Sequence, residues 1–132
     1  MIVVDASVLA NALADDGRDG TAARARLTVD GDLAAPDLID VETTALLRKR
    51  WIAGDLTDQR FSDAIVDLEE LDLTRYPTLP LMRRAFDLRS NVTAYDAAYI
   101  ALAERLGCPF LTADQRLAAA PTITCPVEVL HL

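Results

Sequence analysis

The stretch from Thr93 to Asp114 constrains the fold more than any other part of the chain. Its first part predicts a helix that begins at a capping Thr93, has Asp96 at the capping-box position and ends at Gly107. This helix is apolar on most of its surface, which predicts that it is largely buried. A short apolar strand, Pro109–Thr112, follows at once. The stretch therefore places one carboxylate near the start of a buried helix and another just past a buried strand.

The remainder of the chain alternates short apolar strands with amphipathic helices. Besides Pro109–Thr112, the predicted strands are Ile2–Val4, Leu33–Pro36, Leu71–Tyr76 and Val127–Leu132. The other predicted helices are Val8–Leu13, Thr21–Val29, Asp37–Trp51, Asp58–Leu71, Leu79–Leu88 and Gln115–Ala119, with a polar loop from Asp15 to Gly20. This alternation predicts an α/β fold with a central parallel sheet and helices on both faces. A chain of 132 residues fits one domain, 1–132, with a single core.

Charge and hydropathy exclude several classes of protein. The net charge of −8 argues against nucleic-acid binding through a generally basic surface, although it allows a local basic patch or an acidic site that holds cations. No run approaches the roughly 18 apolar residues of a membrane-spanning helix. The N-terminus has no basic region or cleavage site, so no signal peptide is expected. These features predict a cytoplasmic protein without a membrane contact.

The cysteine and histidine content argues against a zinc site. Cys108 and Cys125 are the only cysteines and lack Cys-x-x-Cys spacing, while His131 is the only histidine. We expect both cysteines to be small buried hydrophobic residues, and His131 to lie on the last strand.

Two further carboxylates occupy positions that a surface acid would not. Asp5 follows the first strand, at the end where open α/β sheets bind ligands. Glu42 lies within the predicted apolar stripe of its helix, which consists of Leu38, Val41, Ala45 and Leu46. Each acid also has a simpler interpretation. Asp5, Asp96 and Asp114 can act as helix caps or turn residues, and Glu42 can be an incidental buried acid.

Four carboxylates that converge at the carboxyl edge of a sheet need a counter-charge. At about 4 Å and an effective dielectric constant near 20, each pair repels by on the order of 4 kcal/mol. Such a cluster is either protonated or holds a hard cation, and oxygen ligands suit Mg²⁺ or Mn²⁺. Ser7 and Thr112 stand beside Asp5 and Asp114, where their hydroxyl groups can orient the ligands or a bound water.

Four segments together resemble a known family. They are Val-Val-Asp-Ala-Ser-Val-Leu at the start, Asp-Val-Glu-Thr-Thr-Ala-Leu-Leu-Arg in the first long helix, Tyr-Asp-Ala-Ala-Tyr-Ile-Ala-Leu-Ala and Leu-Thr-Ala-Asp. Their order and spacing resemble the PIN domain and, in size and layout, the VapC-type toxins of bacterial toxin–antitoxin pairs. The resemblance spans almost the whole chain. It implies a PIN-like fold and a metal-dependent RNA endonuclease.

The resemblance also implies site residues and partners. The catalytic and metal-binding residues are then Asp5, Glu42, Asp96 and Asp114, with Mg²⁺ or Mn²⁺ as the cofactor. Many relatives carry a further acid beyond the fourth segment, whereas Gln115, Arg116 and Leu117 follow here, which leaves the number of metal ions open. The implied partners are an RNA substrate, a small cognate antitoxin and a second copy of the chain.

Basic and apolar residues give candidate surfaces for these partners. RNA phosphates are expected at Arg116 and at Arg48, with Lys49 and Arg50 beside it. An amphipathic antitoxin helix is expected on the two N-terminal helices and the Asp58–Leu71 helix. These elements offer Leu9, Leu13, Leu27, Phe61 and Ile65.

Two other functions fit a small acidic α/β domain. A receiver-like phosphoacceptor domain usually has an acidic pair after the first strand and a lysine after a late strand. Here Ala6 follows Asp5 and the only lysine is Lys49, which disfavours that class. A catalytically silent PIN-like binding module is disfavoured by the presence of all four acids.

Overall fold

The structure is a computed structural model, and it describes residues 1–29 and 31–132. Five parallel strands form one sheet in the order β3-β2-β1-β4-β5. The strands are β1 Ile2–Val4, β2 Leu33–Pro36, β3 Thr74–Tyr76, β4 Phe110–Thr112 and β5 Val127–Val129. The helices are α1 Ala6–Ala14, α2 Arg18–Leu27, α3 Ile39–Ile52, α4 Asp58–Glu70, α5 Met82–Asp87 and α6 Ala94–Leu106. The predicted α/β architecture with a central parallel sheet is confirmed.

Strand β1 lies in the middle of the sheet and determines where the chain changes direction. Its three residues are buried, and Val3 lies opposite Ala34 of β2 on one side and Phe110 of β4 on the other. The chain runs outward from β1 through β2 to β3, then returns to the opposite side for β4 and β5. In open α/β sheets such a reversal leaves a crevice at the carboxyl ends of the two diverging strands. That crevice lies beside Asp5.

The helices form two layers, one on each face of the sheet. Helix α1 packs against α2, α3 and α4 in one layer, and α5 packs against α6 in the other. Helix α6 is buried along most of its length, as its composition predicts. Its ends are also as predicted: the Thr93 hydroxyl accepts a hydrogen bond from the Asp96 amide at 3.2 Å, and Gly107 has φ 64° and ψ 37°. The left-handed conformation at Gly107 explains why glycine ends this helix.

The predicted Asp15–Gly20 loop is wrong in its second half, because α2 already begins at Arg18. The Asp15 carboxylate accepts hydrogen bonds from the amides of Gly17 at 2.8 Å and Gly20 at 3.1 Å. An acid that precedes the helix thus satisfies amide groups at its start, where the sequence offers no capping side chain at Gly17.

The predicted apolar stripe of α3 is also wrong in part. Val41 is 74% exposed and Ala45 is exposed, while the buried face consists of Ile39, Thr43 and Leu47. Both faces of this helix carry apolar residues, so periodicity alone does not choose between them. The consequence is that Glu42 borders an opening in the surface rather than the interior of the core.

Several ends of elements differ from the predicted ones. Strand β3 begins at Thr74 rather than Leu71, and β5 ends at Val129, which leaves His131 exposed beyond the strand. The predicted Leu79–Leu88 helix is a 3₁₀ turn, Leu79–Leu81, followed by α5, and the short helix Gln115–Ala119 is a 3₁₀ helix. Both cysteines are free, with Cys108 buried and Cys125 half-buried.

The predicted docking surface on the N-terminal helices is wrong for its two α1 residues. Leu9 and Leu13 are buried in the core, because α1 is covered by α2, α3 and α4. Phe61 and Ile65 of α4 are half-buried and border a groove with Trp51 of α3.

Among residues 1–29 and 31–132, no helix is long and apolar enough to span a bilayer.

Candidate active site

All four predicted acids line one cavity at the carboxyl edge of the sheet. The cavity has a volume of about 790 Å³ and opens beside the ends of β1 and β4. Its polar lining consists of Asp5, Ser7, Glu42, Lys49, Tyr95, Asp96, Asp114 and Arg116. Strand ends supply two of the acids and helices α3 and α6 supply the other two. The topology therefore brings together side chains that are far apart in the sequence.

Asp5 is the most deeply buried of the four acids, with 8% of its surface exposed. Its Oδ2 accepts a hydrogen bond from the Thr112 hydroxyl at 2.7 Å, and its Oδ1 accepts one from the Ser7 amide at 3.3 Å. Burial raises the pKa of this carboxyl, and these hydrogen bonds only partly oppose the effect. Asp5 thus caps α1, as the simpler interpretation proposed, and also faces the cavity.

The two predicted orienting hydroxyl groups differ in their surroundings. Thr112 links two acids, because its Oγ1 donates to Asp5 and accepts a hydrogen bond from the Asp114 amide at 3.1 Å. The Ser7 Oγ is buried and has no hydrogen bond of good geometry to a described residue, although it lies near enough to Asp5 to lower the pKa of that carboxyl. A polar group bound at this wall of the cavity would complete its hydrogen bonding.

Glu42 is held by a residue that the sequence analysis did not assign to the site. The Tyr99 hydroxyl donates to Glu42 Oε1 at 2.7 Å, across the space between α6 and α3. Burial raises the pKa of Glu42, and the charges of Asp5 and Asp96 raise it further, while the Tyr99 hydrogen bond lowers it. Burial, together with this bond, also raises the pKa of Tyr99 well above its usual range, so Tyr99 is a neutral donor. The available signal was its position three residues after Asp96, on the same helix face.

Asp96 and Asp5 influence one another through space. The pKa of Asp96 is raised first by burial and then by the nearby Asp5 charge. Three of the four carboxyl groups, those of Asp5, Glu42 and Asp96, therefore hold their protons more tightly than isolated acids. Raised pKa values in a cavity are typical of functional sites, although structural clusters produce them too.

Asp114 behaves differently because an arginine neutralises it. Arg116 Nε lies 3.0 Å from Asp114 Oδ1, and Arg116 Nη2 lies 2.8 Å from Oδ2. The Arg116 guanidinium lowers the pKa of Asp114 below its usual value. Asp114 also caps the 3₁₀ helix by accepting the Arg116 amide at 3.0 Å, as its simpler interpretation predicts.

The donor set fits a hard divalent cation in chemistry but is not arranged as a finished metal site. Carboxylate and hydroxyl oxygens are the ligands that Mg²⁺ and Mn²⁺ prefer. In the part of the chain that the structure describes, no three His, Cys, Asp or Glu side chains are grouped so that they could hold a metal ion. The Arg116 guanidinium engages Asp114, so a cation would require the arginine to leave that carboxylate.

The candidate RNA-binding residues divide into three groups. Arg116 and Lys49 line the acidic cavity. Arg48 lies outside it, in a neighbouring depression that shares Val41 and Ala45 with the cavity. Arg50 is bound to α1, because its Nη2 donates a hydrogen bond to Asn11 Oδ1 at 2.7 Å. Tyr95 is 64% exposed and lines the cavity. Sequence reasoning did not select it, because no periodic pattern marks its position.

Comparison with known proteins identifies the family. The PIN domain family matches residues 2–122. The chain is 38% identical over 130 residues to Ribonuclease VapC1 of Mycobacterium tuberculosis, covering 98% of this chain and 97% of the relative. Ribonuclease VapC9 of the same species is also 38% identical over 130 residues, with 98% of both chains covered.

Solved structures agree with this assignment at the level of the fold. The structure of VapBC2 from Rickettsia felis, bound to a DNA fragment from its promoter, superposes with a TM-score of 0.70 at 11% identity, covering 99% of this chain and 100% of that one. VapC20 of Mycobacterium tuberculosis, described as a sarcin-ricin loop cleaving toxin, gives a TM-score of 0.66 at 15% identity, with 83% and 87% covered. The chain belongs to the PIN-domain family and, within it, to the VapC type.

Proposed function

We propose that this VapC-type protein is a Mg²⁺- or Mn²⁺-dependent endoribonuclease that hydrolyses RNA phosphodiester bonds as the toxin of a toxin–antitoxin pair. One observation supports this proposal above the others. Four acids from four separate elements line one cavity at the point beside β1 where the strand order reverses. Burial raises the pKa values of three of them, an electrostatic cost that a bound cation would offset.

The cation would be held by the carboxylates of Asp5, Glu42, Asp96 and Asp114. When bound, a divalent ion supplies a water acidic enough to attack a phosphodiester. The remaining residues position the ligands. Thr112 fixes Asp5 Oδ2, and Tyr99 occupies Glu42 Oε1, so Glu42 would bind the cation through Oε2.

The cavity also suits an RNA strand. Lys49 and Arg116 place two positive charges beside the acids, where they can contact phosphates. The exposed ring of Tyr95, next to Asp96 in sequence, offers a face on which an unpaired base can stack. Single-stranded RNA presents phosphates and unpaired bases at the same time.

The likeness to VapC-type PIN domains implies products with 5′-phosphate and 3′-hydroxyl ends. The alternative reaction, attack by the RNA 2′-hydroxyl, commonly uses a pair of acid and base side chains such as histidines. The only histidine of the chain, His131, is exposed and lies 3.4 Å from Gln115 through its Nδ1, and it does not line the cavity.

The test is to incubate purified protein with a pool of RNA in the presence of Mg²⁺, Mn²⁺ or excess EDTA. We expect cleavage with either metal and none with EDTA. Asp96→Asn should abolish cleavage because it removes a negatively charged ligand from the cavity. Undiminished cleavage in EDTA, or by this variant, would refute the proposed metal site.

We also propose a small antitoxin as the partner that restrains this activity. Trp51, Phe61 and Ile65 border an apolar groove of about 480 Å³ between α3 and α4, which suits one face of an amphipathic helix. A partner arginine that reaches the acidic cavity would neutralise it. The product of the adjacent small open reading frame should co-purify with the chain and suppress RNA cleavage. Absence of a complex, or a complex with full activity, would count against the toxin assignment.

The homodimer stays a prediction of the same kind. A second copy of the chain would have to cover apolar surface that is exposed in the monomer, such as Ile52 at the end of α3. Sedimentation of the purified chain should give about twice the 14.4 kDa mass of one copy.

A second candidate function, a silent PIN-like binding module, is favoured by one observation. Arg116 engages Asp114, and the acids of the described residues do not form a ready metal site. A silent module would bind RNA or protein without cleaving RNA under any metal condition. The incubation with Mg²⁺ and Mn²⁺ distinguishes the two.

A further inference from the structure

We propose that Arg116 is a positioning residue that holds Asp114 away from the metal until an RNA phosphate takes the guanidinium. This inference rests on the proposed function, because it assigns a substrate-dependent step to the same cavity. RNA binding would thereby complete the metal site, and the RNA-free protein would hold the metal weakly.

The geometry of the pair supports this role. Both carboxylate oxygens of Asp114 are engaged by the guanidinium, Oδ1 at 3.0 Å from Nε and Oδ2 at 2.8 Å from Nη2. The Arg116 side chain is 89% exposed, whereas that of Asp114 is only 28% exposed. The arginine can therefore leave into solvent or towards a ligand without disturbing the core, while Asp114 remains at the cavity wall.

Capping of the 3₁₀ helix does not require the guanidinium. The Arg116 amide donates to Asp114 Oδ1 at 3.0 Å, and this backbone bond remains when the side chain leaves. Asp114 Oδ2 is bound by the guanidinium alone among the described contacts. Departure of Arg116 would therefore release one oxygen for a cation and leave the local fold intact.

An RNA phosphate is a suitable competitor for the guanidinium. Arginine binds phosphate and carboxylate with the same two-pronged geometry, so a phosphate can replace Asp114 without loss of hydrogen bonds. Arg116 lines the acidic cavity itself, next to the place that the scissile phosphate must reach. The same arginine thus lowers the repulsion between the RNA and the acids while it exposes Asp114 to the cation.

The first test measures Mn²⁺ affinity of the RNA-free protein by calorimetric titration. Arg116→Ala should bind Mn²⁺ about two- to fivefold more tightly than the natural chain, because exposed ion pairs have modest strength. Arg83→Ala is the matched control, since Arg83 is another exposed arginine that does not line the cavity. It should leave the Mn²⁺ affinity unchanged.

A double substitution separates release of Asp114 from simple charge repulsion. In an Asp114→Asn background, Arg116→Ala should have no further effect on Mn²⁺ affinity. If it increases the affinity there as much as in the natural chain, Arg116 acts only as a nearby positive charge and the proposal is wrong. Equal Mn²⁺ affinity of the natural chain and Arg116→Ala would also overturn it.

The second test measures RNA binding in EDTA as a function of salt concentration. Arg116→Ala should weaken binding and reduce the slope of log affinity against log salt by about 0.7, the value for one phosphate contact on a single strand. An unchanged slope would show that Arg116 does not contact RNA, and would overturn the proposal. If no variant binds Mn²⁺ and the natural chain does not cleave RNA, the proposed function itself fails.

Discussion

Asp5 shows, at the scale of one residue, how the site depends on a destabilising charge. Asp5 is 8% exposed, and burial raises the pKa of its carboxyl. Asp5→Asn should therefore abolish RNA cleavage but stabilise the metal-free protein by about 1 kcal/mol, a few degrees in Tm. Asn can still cap α1 and accept the Thr112 hydroxyl. Thermal denaturation in EDTA, with the exposed Asp72→Asn as control, measures the effect.

The gain in stability from Asp5→Asn should depend on pH. Because the pKa of Asp5 is higher in the folded chain than in the unfolded chain, the folded state binds more protons at intermediate pH. The contribution of the Asp5 carboxyl to stability is then fully present below its ordinary pKa of 3.8 and is lost as pH rises through the raised value. The Tm difference between Asp5→Asn and the natural chain should be large at pH 7 and narrow towards pH 4. A difference that is constant with pH would contradict this account.

Tyr99 tests whether the hydrogen bond to Glu42 tunes the site. Tyr99→Phe keeps the ring that stacks on Phe110, with centroids 5.8 Å apart, and removes only the hydroxyl. Half-buried Glu42 then loses a donor, which should cost about 1 kcal/mol and raise its pKa further. The acid limb of the pH–rate profile for RNA cleavage should shift to higher pH. A profile that does not move would show that Tyr99 has only a packing role.

Tyr95 tests base stacking at the cavity. Tyr95→Ala should reduce RNA affinity by roughly 1–3 kcal/mol, whereas Tyr95→Phe should keep most of it, because stacking needs only the ring. Phe86 supplies a matched control, since it is 55% exposed but does not line the cavity. If Phe86→Ala weakens RNA binding as much as Tyr95→Ala, the effect is not specific to the site.

At the scale of elements, the start of α2 depends on one glycine. A Cβ atom at Gly20 would lie 1.7 Å from the Asp15 carbonyl oxygen, so the backbone would have to move. Gly20→Ala should therefore destabilise the fold by about 2–3 kcal/mol. Gly31→Ala is the control, because its added Cβ has no atom of a described residue within 4 Å apart from its chain neighbours. Equal midpoints in urea denaturation for the two variants would contradict this packing.

The elements themselves were largely predictable from local patterns. Helix α6 combines a capping threonine, an apolar body and a final glycine, and each feature has the predicted role. The phase of α3 was not predictable, because apolar residues occupy two faces and only the neighbouring helices decide which is buried. The start of α2 was missed for a similar reason, since its amide groups are satisfied by Asp15 from outside the helix.

At the scale of the whole molecule, the sheet order determines where the acids meet. Asp5 and Asp114 were placed correctly because residues that follow neighbouring parallel strands share one edge. Asp96 was placed correctly because a charged residue on an apolar helix face needs a reason. Glu42 also lines the cavity, although the buried face of its helix was predicted wrongly. The direction of individual side chains was beyond sequence reasoning. The pairing of Arg116 with Asp114 and of Tyr99 with Glu42 depends on three-dimensional distances.

The α1 part of the predicted docking surface was wrong for a reason that also belongs to the whole molecule. Counting apolar residues on α1 and α2 does not show how many helices cover them, and α1 is covered by three. Leu9 and Leu13 therefore belong to the core. The groove beside α4 is what remains on the surface.

Hydrolysis of RNA by a metal-activated water at the acidic cavity is tested most directly by the ends of the RNA fragments that the natural chain makes in Mg²⁺, with Asp5→Asn in parallel. We expect 5′-phosphate and 3′-hydroxyl ends from the natural chain and no fragments from Asp5→Asn. Fragments with 2′,3′-cyclic phosphate ends, or equal cleavage by Asp5→Asn, would contradict it.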